Sequence, residues 1–330
     1  MSAAILTEAP VRVREFTASP EDYETASCIR CAVYPEYPET AGEIRWSDEH
    51  QDPKCKWQRF FAERDGRVVG SGSYGQSSGM YHPRKFYVEV NVLPEYRGQG
   101  VGTVLYRHVL EALEPFDPIE LHTDAREDDA PRLRYLARAG FTEKMRESES
   151  VIDVTAFDPA DFREDVAKVE AQGIMVRPFS ELDAEDPGAR RKLHDLHWAV
   201  VQDIPHPDAI TQVPFDVWVK RFESPNFLPE GNIVALDGDR YVGTSVLYRS
   251  SDPDLLDTGM TGVRREYRKR GIATAMKVRA LAYARQYGVS KVRTCNEQNN
   301  KGMLGINYRL GFKPTPAWIM MHKVLKEEHE

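Results

Sequence analysis

One decapeptide pattern occurs twice in the chain, and this repeat limits the folds that the chain can adopt. Leu93–Gly102 reads LPEYRGQGVG, and Arg264–Ala273 reads RREYRKRGIA. An apolar pattern with helical spacing follows each copy. Other pairs recur in the same order, namely VREF and VRPF, DGRVVGSG and GDRYVGTS, and ARAGF and YRLGF. Because order and spacing are kept together, we interpret the chain as a duplication.

The length and composition agree with two domains. A chain of 330 residues exceeds what one core usually organises, and 41% hydrophobic residues can build two cores. The net charge of -8 argues against binding to nucleic acid or to anionic membranes. Residues 1–16 lack the pattern of a signal peptide, no apolar stretch is long enough to span a membrane, and the 4 cysteines are too few to staple the chain. We therefore expect a cytoplasmic protein, a monomer or homodimer, with reduced thiols.

The repeats define the expected domains. The first covers residues 1–158 and the second covers 174–330, and a charged linker helix covers 159–173. In each repeat we expect a strand, one or two helices, a pair of strands, and a third strand that ends at the decapeptide. A helix, another strand (Ile119–Thr123 or Lys291–Cys295), a helix and a final strand follow. This order predicts an α/β fold with a central mixed sheet flanked by helices.

Each decapeptide predicts an anion site. A glycine-rich turn that enters a helix leaves backbone N–H groups unpaired at the positive end of the helix dipole. Such a turn suits a phosphate or pyrophosphate, and nearby arginines add positive charge. Neither copy has the G-x-x-x-x-G-K-S/T pattern of a P-loop, and the glycines have the wrong spacing for a dinucleotide fingerprint. An ordinary glycine-rich turn is the remaining alternative, and two copies with arginine in the same place disfavour it.

With these motifs the chain resembles the GNAT superfamily of N-acetyltransferases, as two units in tandem. The acyl-CoA signature of that family is Arg or Gln, two residues, Gly, one residue, then Gly or Ala, and Arg97–Gly102 and Arg268–Ala273 both fit it. Cys295–Phe312 fits the late strand–helix segment of the family. The resemblance implies two GNAT-type acyl-CoA N-acyltransferase domains, with the pyrophosphate of CoA on the turn and the thioester near Val92 or Val263, whose N–H would stabilise the oxyanion.

The same resemblance implies a set of residues that bind acetyl-CoA. In the first repeat they are Val92, Arg97, Gly98, Gln99, Gly100, Val101, Gly102 and Thr103. In the second repeat they are Val263, Arg268, Lys269, Arg270, Gly271, Ile272, Ala273 and Thr274, together with Asn296, Asn300 and Asn307 beside the pantetheine arm.

The family's general base usually comes from the strand before the signature. Asp257 lies where family members often have a carboxylate, while Phe86 takes that place in the first repeat and Glu89 is its candidate base. A solvated carboxylate at a strand edge is the alternative for both. The tyrosine that often serves as the acid is replaced by Leu136 and Asn307, so protonation of the leaving thiolate is assigned to water.

We predict direct transfer of an acetyl group from acetyl-CoA to a primary amine of a small molecule or peptide, without a metal. The second repeat is expected to be the catalytic one, because it combines a full signature, Asp257 and an Asn-rich late segment. A non-catalytic acyl-CoA-binding or sensing protein is the alternative from another class. A transferase like mycothiol synthase is a minor alternative, since no residue here specifies its aminosugar-thiol substrate.

Overall fold

The computed structural model describes residues 10–327, so part of the segment used to predict the absence of a signal peptide lies outside the described residues. No helix within 10–327 is long and apolar enough to cross a membrane. The strands are β1 (Arg12–Glu15), β2 (Gln58–Arg64), β3 (Arg67–Gly75), β4 (Lys85–Val92), β5 (Glu120–Arg126), β6 (Thr142–Asp153), β7 (Ile174–Pro178), β8 (Phe227–Asp237), β9 (Arg240–Arg249), β10 (Leu255–Val263), β11 (Lys291–Glu297), β12 (Lys313–Pro314) and β13 (Trp318–Val324). The helices are α1 (Pro20–Val33), α2 (Ala41–Glu49), α3 (Val101–Leu113), α4 (Ala130–Arg138), α5 (Arg163–Glu170), α6 (Phe179–Glu185), α7 (Ala189–Val201), α8 (Phe215–Trp218), α9 (Ile272–Tyr287) and α10 (Lys301–Leu310).

The order of elements predicted for each repeat agrees with the structure, except that the second repeat has three helices before its paired strands and a final strand in two parts. The paired strands β2–β3 and β8–β9 are antiparallel hairpins. Asp65 and Gly66 join the first pair with φ of 51° and 72°, which matches the twist of a tight hairpin. Each decapeptide ends one strand (β4 or β10) and starts one helix (α3 or α9). The predicted α/β class with a mixed sheet follows from parallel pairing of β4 with β5 and of β10 with β11, amid antiparallel neighbours.

The chain forms two compact units whose limits differ from those of the repeats. The first unit comprises the chain up to Asp124 together with the segment that starts at His322, and the second comprises Ala125–Met321. β6 belongs to the second unit because it pairs antiparallel with β11. The C-terminal segment belongs to the first unit, where Leu325 N donates to Ile119 O at 2.8 Å. The expected domains 1–158 and 174–330 therefore name the repeats of the sequence, while the compact units have the limits given above.

In the first unit, the strands lie in the order β1-β2-β3-β4-β5. Helix α3 buries one apolar face, made of Val101, Leu105, Val109 and Leu113. This face is where the spacing of apolar residues predicted it. On the other side of the sheet, α1 and α2 pack around Phe61. The start of α3, and with it the first decapeptide, is thus fixed against the strands.

In the second unit, the strands lie in the order β6-β11-β10-β9-β8-β7, and β12 pairs with β6. Helix α9 packs on one face of this sheet in a core that includes Leu256, Val263 and Met276. Helices α6 to α8 cover the opposite face in a second core, which includes Trp218 and Phe227. Strand β10 therefore separates the helix that follows the decapeptide from a helical layer rich in aromatic residues.

Candidate functional site

Each unit contains two parallel strands that pair at one end and separate at the other. The β10–β11 ladder runs from the pair Leu255–Lys291 to the pair Asp257–Arg293 and, within the described residues, goes no further. β10 continues alone to Val263, where the decapeptide begins. In the first unit, the β4–β5 ladder likewise ends at the pair formed by Tyr87 with its β5 partner. The cleft between splayed strands that the resemblance implied is therefore present.

The strands that precede the two decapeptides, β4 and β10, differ in length by one residue. β10 has a bulge between Thr258 and Thr261, whereas the β3–β4 ladder runs without a shift. Tyr87 is the last residue of β4 that pairs with β5, as Asp257 is the last residue of β10 that pairs with β11. Because of the extra residue in β10, Tyr87 is therefore the counterpart of Asp257. The expectation that Phe86 takes this place was wrong, because a constant sequence offset ignores the bulge. Phe86 is instead fully buried in the core.

The backbone of Val263 faces the cleft. Successive residues of an antiparallel strand direct their N–H and C=O groups to opposite edges. Arg264 N donates to Val242 O on β9 at 2.9 Å, so the polar groups of Val263 point away from β9. Consistently, Val263 O accepts a hydrogen bond from Arg268 Nε at 3.0 Å. The N–H of Val263 is thus directed where an oxyanion donor is expected.

The first unit has the same arrangement. Leu93 N donates to Val69 O at 3.0 Å, and Arg97 Nε donates to Val92 O at 3.2 Å. The polar groups of Val92 therefore also point toward the cleft side of their strand. In both copies, the first arginine of the signature donates a hydrogen bond to the last carbonyl of the preceding strand, which fixes the turn against that strand.

Both turns leave a helix N-terminus open. Gly100 and Gly271 precede α3 and α9 with φ of 84° and 82°, and no side chain among the described residues caps either helix. Lys269 occupies the same place in the second turn as Gly98 in the first, and their φ angles are 61° and 76°. The two turns therefore share one backbone shape despite different residues. The side chains of Val101 and Ile272 are buried, which leaves their backbone N–H groups as their means of contact with an anion.

The basic side chains of the second turn are mostly engaged by the protein. Asp203 forms ion pairs with Arg268 and with Arg265, whose Nε lies 2.6 Å from Asp203 Oδ1. These partners, Arg265 first, hold the pKa of Asp203 below its usual range. Arg270 Nε donates to Gln172 Oε1 at 2.8 Å. Binding of phosphate by Arg268 and Arg270 stays a prediction, and both have partners within the protein, whereas the exposed Lys269 forms no ion pair with a described residue.

The remaining turn residues also have defined places. Gln99 accepts from Arg64 Nη1 at 2.6 Å. The N–H of Thr103 donates to Gly100 O at 3.1 Å. Thr274 is buried, and Ala273 packs against the α9 core. A Cβ on Gly102 would lie 3.6 Å from Val92 Cγ2. These contacts position the backbone of the turns, and they leave the helix N-termini as the anion site.

Two asparagines beside the second cleft form a pair. Asn307 Nδ2 donates to Asn296 Oδ1 at 2.7 Å. Asn307 is fully buried, and its Oδ1 accepts no hydrogen bond from any residue in 10–327. A buried acceptor of this kind fits the amide N–H of a pantetheine arm. Asn300 does not join the pair, because its Oδ1 caps α10 by accepting from Met303 N at 3.2 Å, and its contact with pantetheine stays a prediction. The polar pair is specific to the second repeat, since Ala125 and Leu136 hold the matching sequence positions.

Both predicted bases are ion-paired. Asp257 accepts from Arg293 Nε at 2.7 Å and from Arg293 Nη2 at 3.0 Å, at the point where the cleft closes. In the first unit, Glu89 accepts from Arg30 Nη1 at 3.0 Å. Each oxygen of Asp257 keeps a second lone pair, so the ion pair leaves room for a proton acceptor role.

Strand β6 adds acidic residues that the sequence did not indicate. Glu147 and Glu149 lie directly opposite Glu297 and Cys295 of β11. Desolvation first, then Glu297, raises the pKa of Glu147. Desolvation, with Glu149 and Glu147, also raises the pKa of the Cys295 thiol. No motif could have revealed this placement, because β6 comes from the first repeat and pairs within the second unit.

A cavity lies between the helices α7 and α8 and the strands β8 to β10 of the second unit. The space between these elements is about 310 Å³ with the open solvent at its mouth included, and only a small part of it is enclosed. One of its residues, Tyr248, pairs directly with Asp257 across β9 and β10, so the cavity lies next to the closed end of the cleft. The lining residues are Leu193, His197, Trp218, Arg221, Phe222, Phe227, Asn232, Thr244, Val246, Tyr248 and Met260.

Comparison with known proteins agrees with this geometry. The chain matches the acetyltransferase (GNAT) family over residues 19–141 and again over residues 193–312, and it belongs to that family as a tandem GNAT N-acetyltransferase. It is thus an acetyltransferase.

A mycothiol acetyltransferase from Nocardia farcinica (strain IFM 10152) is 24% identical over 263 residues, which cover 78% of this chain and 80% of that relative. Two solved structures share the fold at 19% identity. A tandem GNAT protein from the clavulanic acid biosynthesis pathway has a TM-score of 0.73 and covers 97% of this chain and 100% of its own. A GCN5-related N-acetyltransferase from Sphaerobacter thermophilus has a TM-score of 0.69 and covers 97% of both chains.

Proposed function

We propose that the second unit transfers an acetyl group from acetyl-CoA to a primary amine of a small molecule or peptide. The observation that supports this most is the continuous line of features along β10. It begins at the open helix N-terminus after Gly271, passes the cleft-facing backbone of Val263, and ends at the Asp257–Arg293 pair. The turn fits a pyrophosphate, and the Oδ1 atom of Asn307 fits a pantetheine amide.

The chemistry we propose is direct transfer. The amine nitrogen attacks the thioester carbonyl, the N–H of Val263 stabilises the oxyanion, and Asp257 takes the proton of the amine. The C–S bond then breaks, and water protonates the CoA thiolate. Cys295 is not proposed as an acyl carrier, because the raised pKa keeps its thiol protonated at neutral pH.

The variant Asp257→Asn tests this assignment. We expect kcat to fall by about 10²–10⁴-fold, as for loss of a general base, with unchanged affinity for acetyl-CoA. Glu147→Gln is the matched comparison, because Glu147 is a carboxylate on the strand beside β11 and forms no hydrogen bond with a described residue. Full transfer by Asp257→Asn together with loss in Glu147→Gln would identify Glu147 as the base. Binding of acetyl-CoA with no amine acetylated by the wild type would favour the binding or sensing protein.

For the first unit we propose acetyl-CoA binding without turnover. Its turn has the same backbone shape as the second, but it lacks the bulge, the Asp257 carboxylate and the asparagine pair. Glu89, its predicted base, is ion-paired with Arg30 as Asp257 is with Arg293, so the proposal rests on the three missing features and not on this ion pair. The Nocardia relative is named a mycothiol acetyltransferase and is 24% identical to this chain. It supports acetyl transfer as the proposed activity, and we do not extend its acceptor to this chain.

A further inference from the structure

The cavity on the α7–α8 face of the second unit contains a positive charge that no described residue neutralises. Arg221 is partly buried there, its Nε donates to Trp218 O at 3.1 Å, and its guanidinium lies 4.3 Å from the centre of the Trp218 ring. It forms no ion pair with any carboxylate in the described part of the chain. Desolvation lowers the pKa of Arg221, yet a guanidinium keeps its charge at neutral pH. A buried charge without a counterion is costly, so the cavity is complementary to an anion.

Two further polar atoms at this cavity also lack partners. Trp218 and Thr244 are 3% and 1% exposed, and both line the cavity. The indole Nε1 of Trp218 and the Oγ1 of Thr244 make no hydrogen bond with any described residue. Buried donors are rarely left unpaired in native proteins, and these two share one cavity with Arg221. They are therefore suited to hold the oxygen atoms of a ligand.

The charge balance of the cavity indicates a monoanion. Desolvation first, then Arg221 and His194, lowers the pKa of His197 to about 3, so His197 is neutral and Arg221 supplies the positive charge. The planar guanidinium can donate two parallel hydrogen bonds to a carboxylate. A phosphate dianion would leave one negative charge uncompensated. The aromatic walls, Phe222 and Tyr248 among them, can cover the apolar part of such a ligand.

The cavity lies beside the proposed base. Tyr248 pairs with Asp257 across neighbouring strands, and such strands are about 4.8 Å apart. Met260, from the bulge of β10, also lines the cavity. We propose that the acceptor is an amino acid or a similar amine with a carboxylate, which Arg221, Trp218 and Thr244 bind while the amine reaches the cleft. This inference rests on the proposed acetyl transfer by the second unit.

The test uses the full chain and pairs of acceptors that differ only in charge. Each α-amino or ω-amino acid is compared with its carboxamide, and kcat/KM is measured for both. We expect the wild type to prefer the acid by about 100-fold, as for hydrogen bonds to a charged group. In Arg221→Met this ratio should fall to about 1, since methionine keeps the stem but not the charge. Arg191→Met is the control, because Arg191 is exposed and stacks on Phe215 at 3.6 Å, outside the cavity lining, and it should keep the preference.

A second variant protects the test against misfolding. Thr244→Val removes the unpaired hydroxyl with almost no change of shape, and it should reduce the preference by about 10-fold. Equal rates for acids and carboxamides in the wild type, or a preference that survives in Arg221→Met, would overturn the carboxylate site while leaving acetyl transfer intact. A preference for aminoalkyl phosphates over the matched acids would also overturn it.

If the wild type acetylates none of these amines, they are not acceptors of the proposed reaction, and the carboxylate site is then tested by binding alone. Titration calorimetry with the same amino acids would then compare the wild type with Arg221→Met. Binding that depends on Arg221 supports the site, and the absence of such binding overturns it.

Discussion

Lys277 is a buried amine without an acidic partner among the described residues. It lies on α9 with 3% of its surface exposed, and its Nζ is 5.4 Å from the centre of the Phe312 ring. Burial lowers its pKa from 10.5 to about 8. Because the pKa in the folded state is below that in the unfolded chain, the unfolded chain binds more protons between these values, and stability rises with pH across that range. Below pH 8 the penalty is fully present, at about 3 kcal/mol.

We therefore expect Lys277→Met to raise the free energy of unfolding by about 3 kcal/mol at pH 7, with a gain that shrinks as the pH approaches 10.5. Urea unfolding of the wild type and the variant at pH 7 and pH 10 measures this change in the free energy of unfolding. Arg279→Met, on the exposed face of the same helix, is the control and should change little at either pH. A gain of the same size at both values would show that packing, rather than the buried charge, is the cause.

At the scale of residues, the sequence predicted positions better than partners. The position of Asp257 on the strand before the signature, at the closed end of the cleft, followed from the sequence, but its ion pair with Arg293 depends on strand register. Glu147 and Arg221 were not predicted. Both become relevant through packing between segments that are distant in sequence, and neither lies in a motif.

At the scale of elements, the two turns form a matched pair that can be tested by stoichiometry. We expect the wild type to bind two molecules of acetyl-CoA per chain, and Gly100→Val or Gly271→Val to bind one. In each variant a β-branched side chain meets a left-handed backbone, with φ of 84° or 82°, at the predicted pyrophosphate site. Native mass spectrometry counts the bound molecules.

Gly288→Val is the control for the cost of the strained backbone itself. Gly288 has φ of 99°, and a Cβ there would meet nothing within 4 Å, as at Gly100. It follows the C-terminal end of α9, at the opposite end of that helix from Gly271. This variant should lose similar stability and still bind two molecules. A wild type that binds one molecule would mean that one turn has only an architectural role.

The order of elements could be predicted because it depends on local patterns. Apolar spacing marked α3, and the Asp-Gly turn marked the β2–β3 hairpin. The bulge of β10 left no comparable signal, since one added residue changes a register without changing composition. That single residue is why the sequence comparison paired Asp257 with Phe86 rather than with Tyr87.

At the scale of the whole molecule, duplication was readable from the sequence but the division into compact units was not. Strand pairing brings β6 of the first repeat into the second unit, and it brings the segment from His322 into the first unit. In the first unit, His322 Nδ1 lies 2.7 Å from Glu120 Oε1. Such long-range pairing has no local sequence signature, so a boundary drawn between the repeats differs from the boundary between the compact units.

This exchange predicts that neither repeat folds alone. A fragment of residues 1–158 would leave β6 without β11 and β5 without the C-terminal segment, and a fragment of 159–330 would lose β6. Unpaired strand edges favour aggregation, so we expect each fragment to lack a cooperative thermal transition, as followed by circular dichroism. The control is the full chain with a protease site between residues 158 and 159. After cleavage it should keep its transition, because every strand still has its partner. A native-like transition in either isolated fragment would show that the exchanged strands are dispensable and that the repeats are independent domains.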